Sequence, residues 1–146
     1  MKSPFESALE IARIHAKRLI YALEKLSPIF PVSSEKVIVL TDEELLFLEL
    51  MTSRFAKLQD FMGAKLFTLF LESKGELADE MTFLDKVHKL EKLNLIDNAE
   101  DWMAMRQIRN HLSHEYPDHP ELTAEYLNQA YLMAFKLIAC LGKLEG

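Results

Sequence analysis

The chain has 146 residues, a length typical of one domain, and its single cysteine, Cys140, cannot form an internal disulfide. Its net charge of −6 argues against a dedicated DNA-binding module, and charged residues interrupt every run long enough to form an export signal or a membrane helix. These features predict one domain over residues 1–146, in the reducing cytoplasm and without a membrane anchor.

Helical periodicity dominates the N-terminal half of the chain. A first helix is predicted over about residues 4–26, because a capping box and a proline precede its periodic apolar positions. Prolines end it, and residues 27–40 are predicted to be an ordered loop. A second capping box at Thr41 opens the longest helix, which runs to about Gly75. Gly63 is either a weak point of this helix or the place where another helix crosses closely.

Three further helices are predicted in the C-terminal half, over about residues 82–93, 98–115 and 120–144. With short connections and no convincing strand, the fold class is all-α, an antiparallel up-and-down bundle of four to five helices. Apolar residues surround much of the helix that begins at Thr41. That helix is therefore either central in a monomer or partly covered by a second copy of the chain.

The helix over 98–115 carries a polar stripe apart from its apolar face. On a helical wheel the stripe contains Arg106, Arg109, Asn110, Ser113 and His114. A histidine can take a proton from a ribose 2′-hydroxyl, and arginines can bind the phosphate, so the stripe suits RNA cleavage without a metal ion. Arg106 and Ser113 are assigned to substrate binding. One histidine makes a poor acid–base pair, so a homodimer is expected to supply the second.

The run Arg109-Asn110-x3-His114-x-Tyr116 resembles the Arg-x4-His-x-Tyr motif of the HEPN family, whose members are small helical bundles with the motif on a late helix. The likeness is greatest to the HepT toxins, metal-independent ribonucleases encoded beside a minimal nucleotidyltransferase antitoxin. At the level of architecture the resemblance covers most of the chain, whereas at the level of sequence motif it covers about eight residues. It implies an RNA substrate, a homodimer, the nucleotidyltransferase as partner and no cofactor.

The resemblance also implies a role for each motif residue. Arg109 and His114 would be the catalytic pair, and Asn110 would orient the phosphate or the histidine. Tyr116 would be the residue that the antitoxin modifies with AMP, and the anionic adduct would block RNA from reaching His114. The resemblance equally allows a non-catalytic nucleotide- or substrate-binding subunit that partners a nucleotidyltransferase.

Structural interpretations of the same residues remain open. One alternative pairs Arg109 with a helix carboxylate and makes His114 a helix cap and Tyr116 a packing residue. Arg54 or Asp60 of the long helix is a candidate neighbour of the motif. A metal site is a further alternative, because His-x2-His has usable ligand spacing, but the helical wheel separates the two histidines and no metal ligand is predicted.

Overall fold

The computed structural model describes residues 1–146 and contains six helices and no strand, which confirms the predicted all-α bundle. Helix α3 is continuous from Asp42 to Ser73 but includes one π-helical turn. In chain order the helices are α1 (Pro4–Leu26), α2 (Ser34–Ile38), α3 (Asp42–Phe61, the π-turn Met62–Leu66 and Phe67–Ser73), α4 (Phe83–Lys92), α5 (Ala99–Leu112) and α6 (Pro120–Glu145). No helix is long and apolar enough to cross a membrane.

The helices begin where capping residues predict them. In α1, α3, α4 and α5 the N-cap side chain accepts a hydrogen bond from the backbone N–H three residues later. These N-caps are Ser3, Thr41, Thr82 and Asn98. Each cap satisfies a backbone donor that the helix itself leaves free, and this local chemistry is why the starting points could be predicted.

The prediction of a loop over residues 27–40 is wrong in part. Ser34–Ile38 form the short helix α2, because the Ser33 side chain accepts a hydrogen bond from the N–H of Lys36 and caps it. A tertiary contact fixes the chain just before this helix. The Asn128 side chain on α6 accepts from the Val32 N–H at 2.8 Å and donates to the Val32 carbonyl at 2.9 Å.

Helix α5 ends earlier than predicted, at Leu112 and not near residue 115. The N–H groups of Ser113 and His114 bond to carbonyls three residues back, and the Ser113 hydroxyl donates to the Asn110 carbonyl at 2.6 Å. These tight contacts close the helix with a narrower final turn. His114 consequently follows α5 and does not lie within its last turn.

The core is one continuous cluster of buried apolar residues to which every helix except α2 contributes. Most apolar residues of α1 are buried, but Ile11 and Ile20 are exposed. Gly63 lies in the π-turn of α3, and a Cβ built on it would meet the rings of Phe83 on α4 and Trp102 on α5 at 3.4 Å, an ordinary contact distance. The helix departs from regular α-helical hydrogen bonding at this glycine, and side chains of two other helices pack against it.

Candidate functional site

Arg109 lies on the side of α5 that faces α3, where Asp60 holds its guanidinium. Nε of Arg109 donates to the two carboxylate oxygens of Asp60 at 3.0 and 3.1 Å, and Nη2 donates to one of them at 2.9 Å. These hydrogen bonds raise the pKa of Arg109 above its ordinary value. The Nη1 group makes no hydrogen bond, so one edge of the forked guanidinium stays available to an anion.

Arg106, one turn earlier on α5, lies on the same side of the bundle. Its guanidinium is 4.6 Å from the centre of the Phe83 ring, within range of a cation–π contact. Arg106 and Asp60 border a surface groove of about 380 Å³, here called the arginine groove, together with Gln59, Gly63, Ala64 and Phe83. The structure therefore brings both arginines close to the π-turn of α3.

His114 and Tyr116 border a different space, here called the aromatic cavity. It has a volume of about 500 Å³ and lies between α2, the end of α5 and the start of α6. Its lining residues are Val37, Ile38, Thr52, His111, Leu112, His114, Glu115, Tyr116, Pro117, Pro120, Thr123, Tyr126 and Leu127. His114 is exposed and its imidazole makes no hydrogen bond to the chain, whereas Tyr116 is half-buried.

The predicted stripe is therefore divided within one chain. His114 and Tyr116 border the aromatic cavity, whereas Arg106 borders the arginine groove and Arg109 is bound to Asp60. The early end of α5 is the physical cause, since the helical wheel does not apply beyond Leu112. Asn110 and Ser113 are exposed, and the hydrogen bond between them closes the helix.

Two aromatic residues of the aromatic cavity were not predicted as site residues. His111 stacks on Tyr126 of α6 with ring centres 4.2 Å apart and planes inclined by 8°. The Tyr116 ring lies 5.4 Å from Tyr126 at 49°. Burial, followed by the neighbouring Tyr116 and Glu125, raises the pKa of Tyr126. The one signal available in the sequence is a tyrosine on the apolar face of α6. A helical wheel of α5 alone does not show that this face lies opposite the motif.

Of the two α3 residues suggested as neighbours of the motif, Asp60 contacts Arg109 and Arg54 does not. Arg54 donates from Nη1 to Nδ1 of His15 on α1 at 3.0 Å. Partial burial, and then the charges of Arg54 and Lys57, lower the pKa of His15. This contact ties α1 to α3 on a separate part of the surface.

Nowhere in residues 1–146 do three or more His, Cys, Asp or Glu side chains gather closely enough to hold a metal ion. His111 and His114, which have usable ligand spacing in the sequence, both border the aromatic cavity without a third such ligand in position. Comparison with family models, with curated proteins and with solved structures finds no match to this chain.

Proposed function

We propose that this chain is a HEPN-type toxin: a metal-independent endoribonuclease that acts as a homodimer and is neutralised by a minimal nucleotidyltransferase. The observation that carries the proposal is that Arg109 and His114 both have hydrogen-bonding groups that the chain leaves free. Arg109 is oriented by Asp60 with one edge of its fork free, and the exposed His114 imidazole has no partner within the chain. Both groups are thus available to a phosphodiester.

In the proposed reaction one His114 accepts the proton of a ribose 2′-hydroxyl, whose oxygen attacks the adjacent phosphorus. The bond from phosphorus to the 5′-oxygen breaks, and a protonated His114 donates a proton to that leaving oxygen. Arg109 stabilises the charge that grows on the phosphate oxygens, and Asn110 orients the phosphate or the histidine. The products are a 2′,3′-cyclic phosphate and a 5′-hydroxyl. The histidines transfer the protons and Arg109 stabilises the charge, so the proposed mechanism uses no metal ion.

A second copy of the chain supplies the second histidine of this mechanism. Within one chain His114 and the arginines border different spaces, so a site that uses both is more readily assembled across two copies. Exposed apolar side chains are available for such an interface, among them Ile38, Leu46, Leu132 and Phe135.

Inactivation by a nucleotidyltransferase is proposed to occur through AMP on Tyr116. The Tyr116 hydroxyl makes no hydrogen bond to the chain, and its ring lines the same cavity as His114. An attached phosphate with its nucleoside would add negative charge and bulk beside the histidine, and RNA would be repelled and excluded.

RNA cleavage in EDTA tests the nuclease. Wild-type protein is expected to cleave a mixed-sequence RNA and leave 5′-hydroxyl ends, whereas His114→Ala is expected to lose at least about a hundredfold in rate, as removal of a general acid–base group typically does. His88→Ala, an exposed histidine on α4, is the matched control and is expected to keep wild-type activity. Equal cleavage by wild type and His114→Ala would refute the proposal.

The second candidate is a non-catalytic binding subunit of a nucleotidyltransferase. Two observations favour this candidate. The Asp60 carboxylate offsets the charge that Arg109 would offer to a phosphate, and the net charge of −6 would repel RNA. This candidate predicts that the wild-type protein binds a nucleotidyltransferase and a nucleotide but leaves RNA intact in the same assay.

A further inference from the structure

The aromatic cavity has the size and form of a small-molecule site. A volume of about 500 Å³ lies within the usual range for ligand pockets and exceeds that of a single side chain. The cavity opens to solvent beside the exposed His114, so a group attached to a chain outside can enter. Apolar walls come from α2 and α6, through residues such as Val37, Ile38 and Leu127.

One wall of the cavity is aromatic. His111 and Tyr126 stack face to face at 4.2 Å, with Tyr116 tilted against Tyr126. All three residues are half-buried, and all three line the cavity. Stacking on rings of this kind is how proteins hold single-stranded bases, since every base has a flat π-face.

The charges around the cavity favour an uncharged ring over a phosphate. No lysine or arginine lines it, and its only basic groups are the imidazoles of His111 and His114. Arg106 and Arg109, the groups that suit a phosphate, lie on the α3 side of α5. A nucleotide would therefore place its base in the cavity and its phosphate outside it.

Three polar groups of the cavity, on Thr52, Thr123 and Glu115, can only accept from a ligand, whereas the two tyrosine hydroxyls and the two imidazoles can donate or accept. The Thr52 hydroxyl donates to the Glu49 carbonyl and the Thr123 hydroxyl to the Tyr116 carbonyl, so both present lone pairs to other partners. The Glu115 carboxylate accepts only. Adenine, guanine and cytosine carry an exocyclic amino group that donates to such acceptors, whereas uracil carries carbonyl oxygens in its place.

We infer that the aromatic cavity binds a nucleobase with an exocyclic amino group, stacked on the wall formed by His111, Tyr116 and Tyr126. The assignment of this base to an RNA substrate rests on the proposed ribonuclease function. In that setting the cavity selects which nucleotide lies next to the cleaved bond, because His114 stands at its mouth. The inference thus gives the enzyme a base preference.

Calorimetric titration with cytidine and uridine tests the inference, since the two nucleosides are of similar size but cytosine has an amino group and an acceptor N3 where uracil has a carbonyl oxygen and an N3–H. Cytidine is expected to bind at least about fivefold more tightly than uridine. Tyr126→Leu is expected to weaken cytidine binding at least about tenfold, which is the cost of losing a stacking ring. Tyr131→Leu is the matched control, because Tyr131 also lies half-buried on α6, stacked on Phe30 at 4.1 Å, but outside the cavity.

A measurement on the unmodified protein guards against misfolding of the Tyr126 variant. In NMR spectra of the wild type, cytidine is expected to shift the ring signals of His111 and Tyr126 and to leave those of Tyr131 in place. The inference would be overturned if cytidine does not bind, if uridine binds as tightly as cytidine, or if Tyr126→Leu does not weaken cytidine binding. If wild-type protein cleaves RNA in EDTA but fails this test, the cavity inference alone fails; if it binds cytidine by these criteria but does not cleave, the ribonuclease proposal alone fails.

Discussion

At the scale of single residues, Asp60 is the group that determines how Arg109 can act. Its carboxylate binds the guanidinium through three hydrogen bonds, yet the Arg109 and Asp60 side chains remain 32% and 50% exposed. An ion pair so open to water contributes little to folding stability but still fixes a direction. Asp60 is thus better placed to position Arg109 than to stabilise the bundle.

Replacement of Asp60 separates these two roles. Asp60→Asn is expected to lower the rate of RNA cleavage about tenfold or more, because Arg109 loses its fixed orientation, and to lower the free energy of unfolding by less than about 1 kcal/mol. Cleavage assays and urea denaturation measure the two effects. Asp79→Asn, at an exposed acid without an ion pair, is the control. Unchanged cleavage in Asp60→Asn would remove Asp60 from the site.

His15 is expected to make stability depend on pH. Burial and the nearby Arg54 and Lys57 lower its pKa in the folded protein, so the unfolded chain binds this proton more readily. Stability contributed by neutral His15 is therefore present above about pH 6.5 and is lost as pH falls through the lower pKa of the folded state.

Urea denaturation at pH 7.5 and 5.5 tests this dependence. The loss of stability between the two values is expected to be smaller in His15→Gln than in wild type. His88→Gln, on the exposed surface of α4, is expected to behave as wild type. A loss in His15→Gln as large as in the wild type would contradict the assignment.

The sequence proposes Arg109 and His114 as site residues because both belong to one short motif, but it does not point to Tyr126. Its stacking partner His111 comes from another helix, and the wheel of a single helix does not reveal what faces it. For the same reason the sequence offers Asp60 only as one of two possible neighbours of the motif and does not predict its ion pair with Arg109. Contacts between helices depend on how the helices cross, which side-chain spacing within each does not determine.

At the scale of elements, one amide anchors the chain just ahead of α2. Asn128 binds both backbone polar groups of the buried Val32, just ahead of α2, which supplies a wall of the aromatic cavity. Asn128→Leu is expected to destabilise the fold by about 1–3 kcal/mol, because both groups of Val32 lose their partner. Hydrogen exchange in residues 34–38 is expected to accelerate as well.

Gln129→Leu provides the comparison for Asn128, since Gln129 is the next residue and its amide bonds only to Glu125 within α6. It is expected to alter stability by less than about 0.5 kcal/mol. Equal effects of the two variants, in denaturation and in exchange, would show that the contact with Val32 does not hold α2.

Gly63 makes the crossing of α3, α4 and α5 sensitive to side-chain size. A methyl group there would touch Phe83 and Trp102 at ordinary contact distance, so Gly63→Ala is expected to be neutral or to stabilise by up to about 1 kcal/mol. Gly63→Leu is expected to destabilise by about 1–3 kcal/mol through overpacking. Gly142→Ala on α6, with open space around it, is the control for helix propensity alone.

Thermal and urea denaturation of these three glycine variants measure the expected changes in stability. If Gly63→Leu is as stable as Gly63→Ala, the helices do not cross closely at this point.

Helix starts are predictable from the sequence and helix ends are not, as the two ends of α5 illustrate. Its start follows from Asn98, whose side chain accepts the Asp101 N–H. Its end at Leu112 depends on hydrogen bonds from the N–H groups of Ser113 and His114 to carbonyls three residues back. The sequence offers no strong signal for this tighter turn before Pro117. Helix α2 was missed because its five residues, with two β-branched ones among them, are too few for a helical period to appear.

At the scale of the whole molecule, the proposed homodimer predicts that an inactive copy silences its wild-type partner. The mechanism uses one His114 from each copy, so a heterodimer of wild type and His114→Ala lacks the second histidine. If equal amounts of the two chains are unfolded and refolded together, random pairing is expected to leave about a quarter of the dimers active, which is about half the activity of the same wild-type chains refolded alone.

A mixture of wild type with His88→Ala is the control and is expected to keep the full activity of both chains, while native mass spectrometry reports how the chains pair. Wild-type activity that His114→Ala leaves unchanged, although heterodimers are present, would mean that one His114 is sufficient for each site.

The π-turn of α3 has a consequence for the length of the chain. Within it the Phe67 N–H bonds to the Met62 carbonyl, so the helix holds one residue more than an ordinary turn. Removing the exposed Ala64 would let regular hydrogen bonds close while Asp60 and Phe67 kept their directions. A single deletion in α3 outside the π-turn would rotate one half of the helix against the core. This turn is therefore the place in α3 where homologous chains are expected to differ by one residue in an alignment.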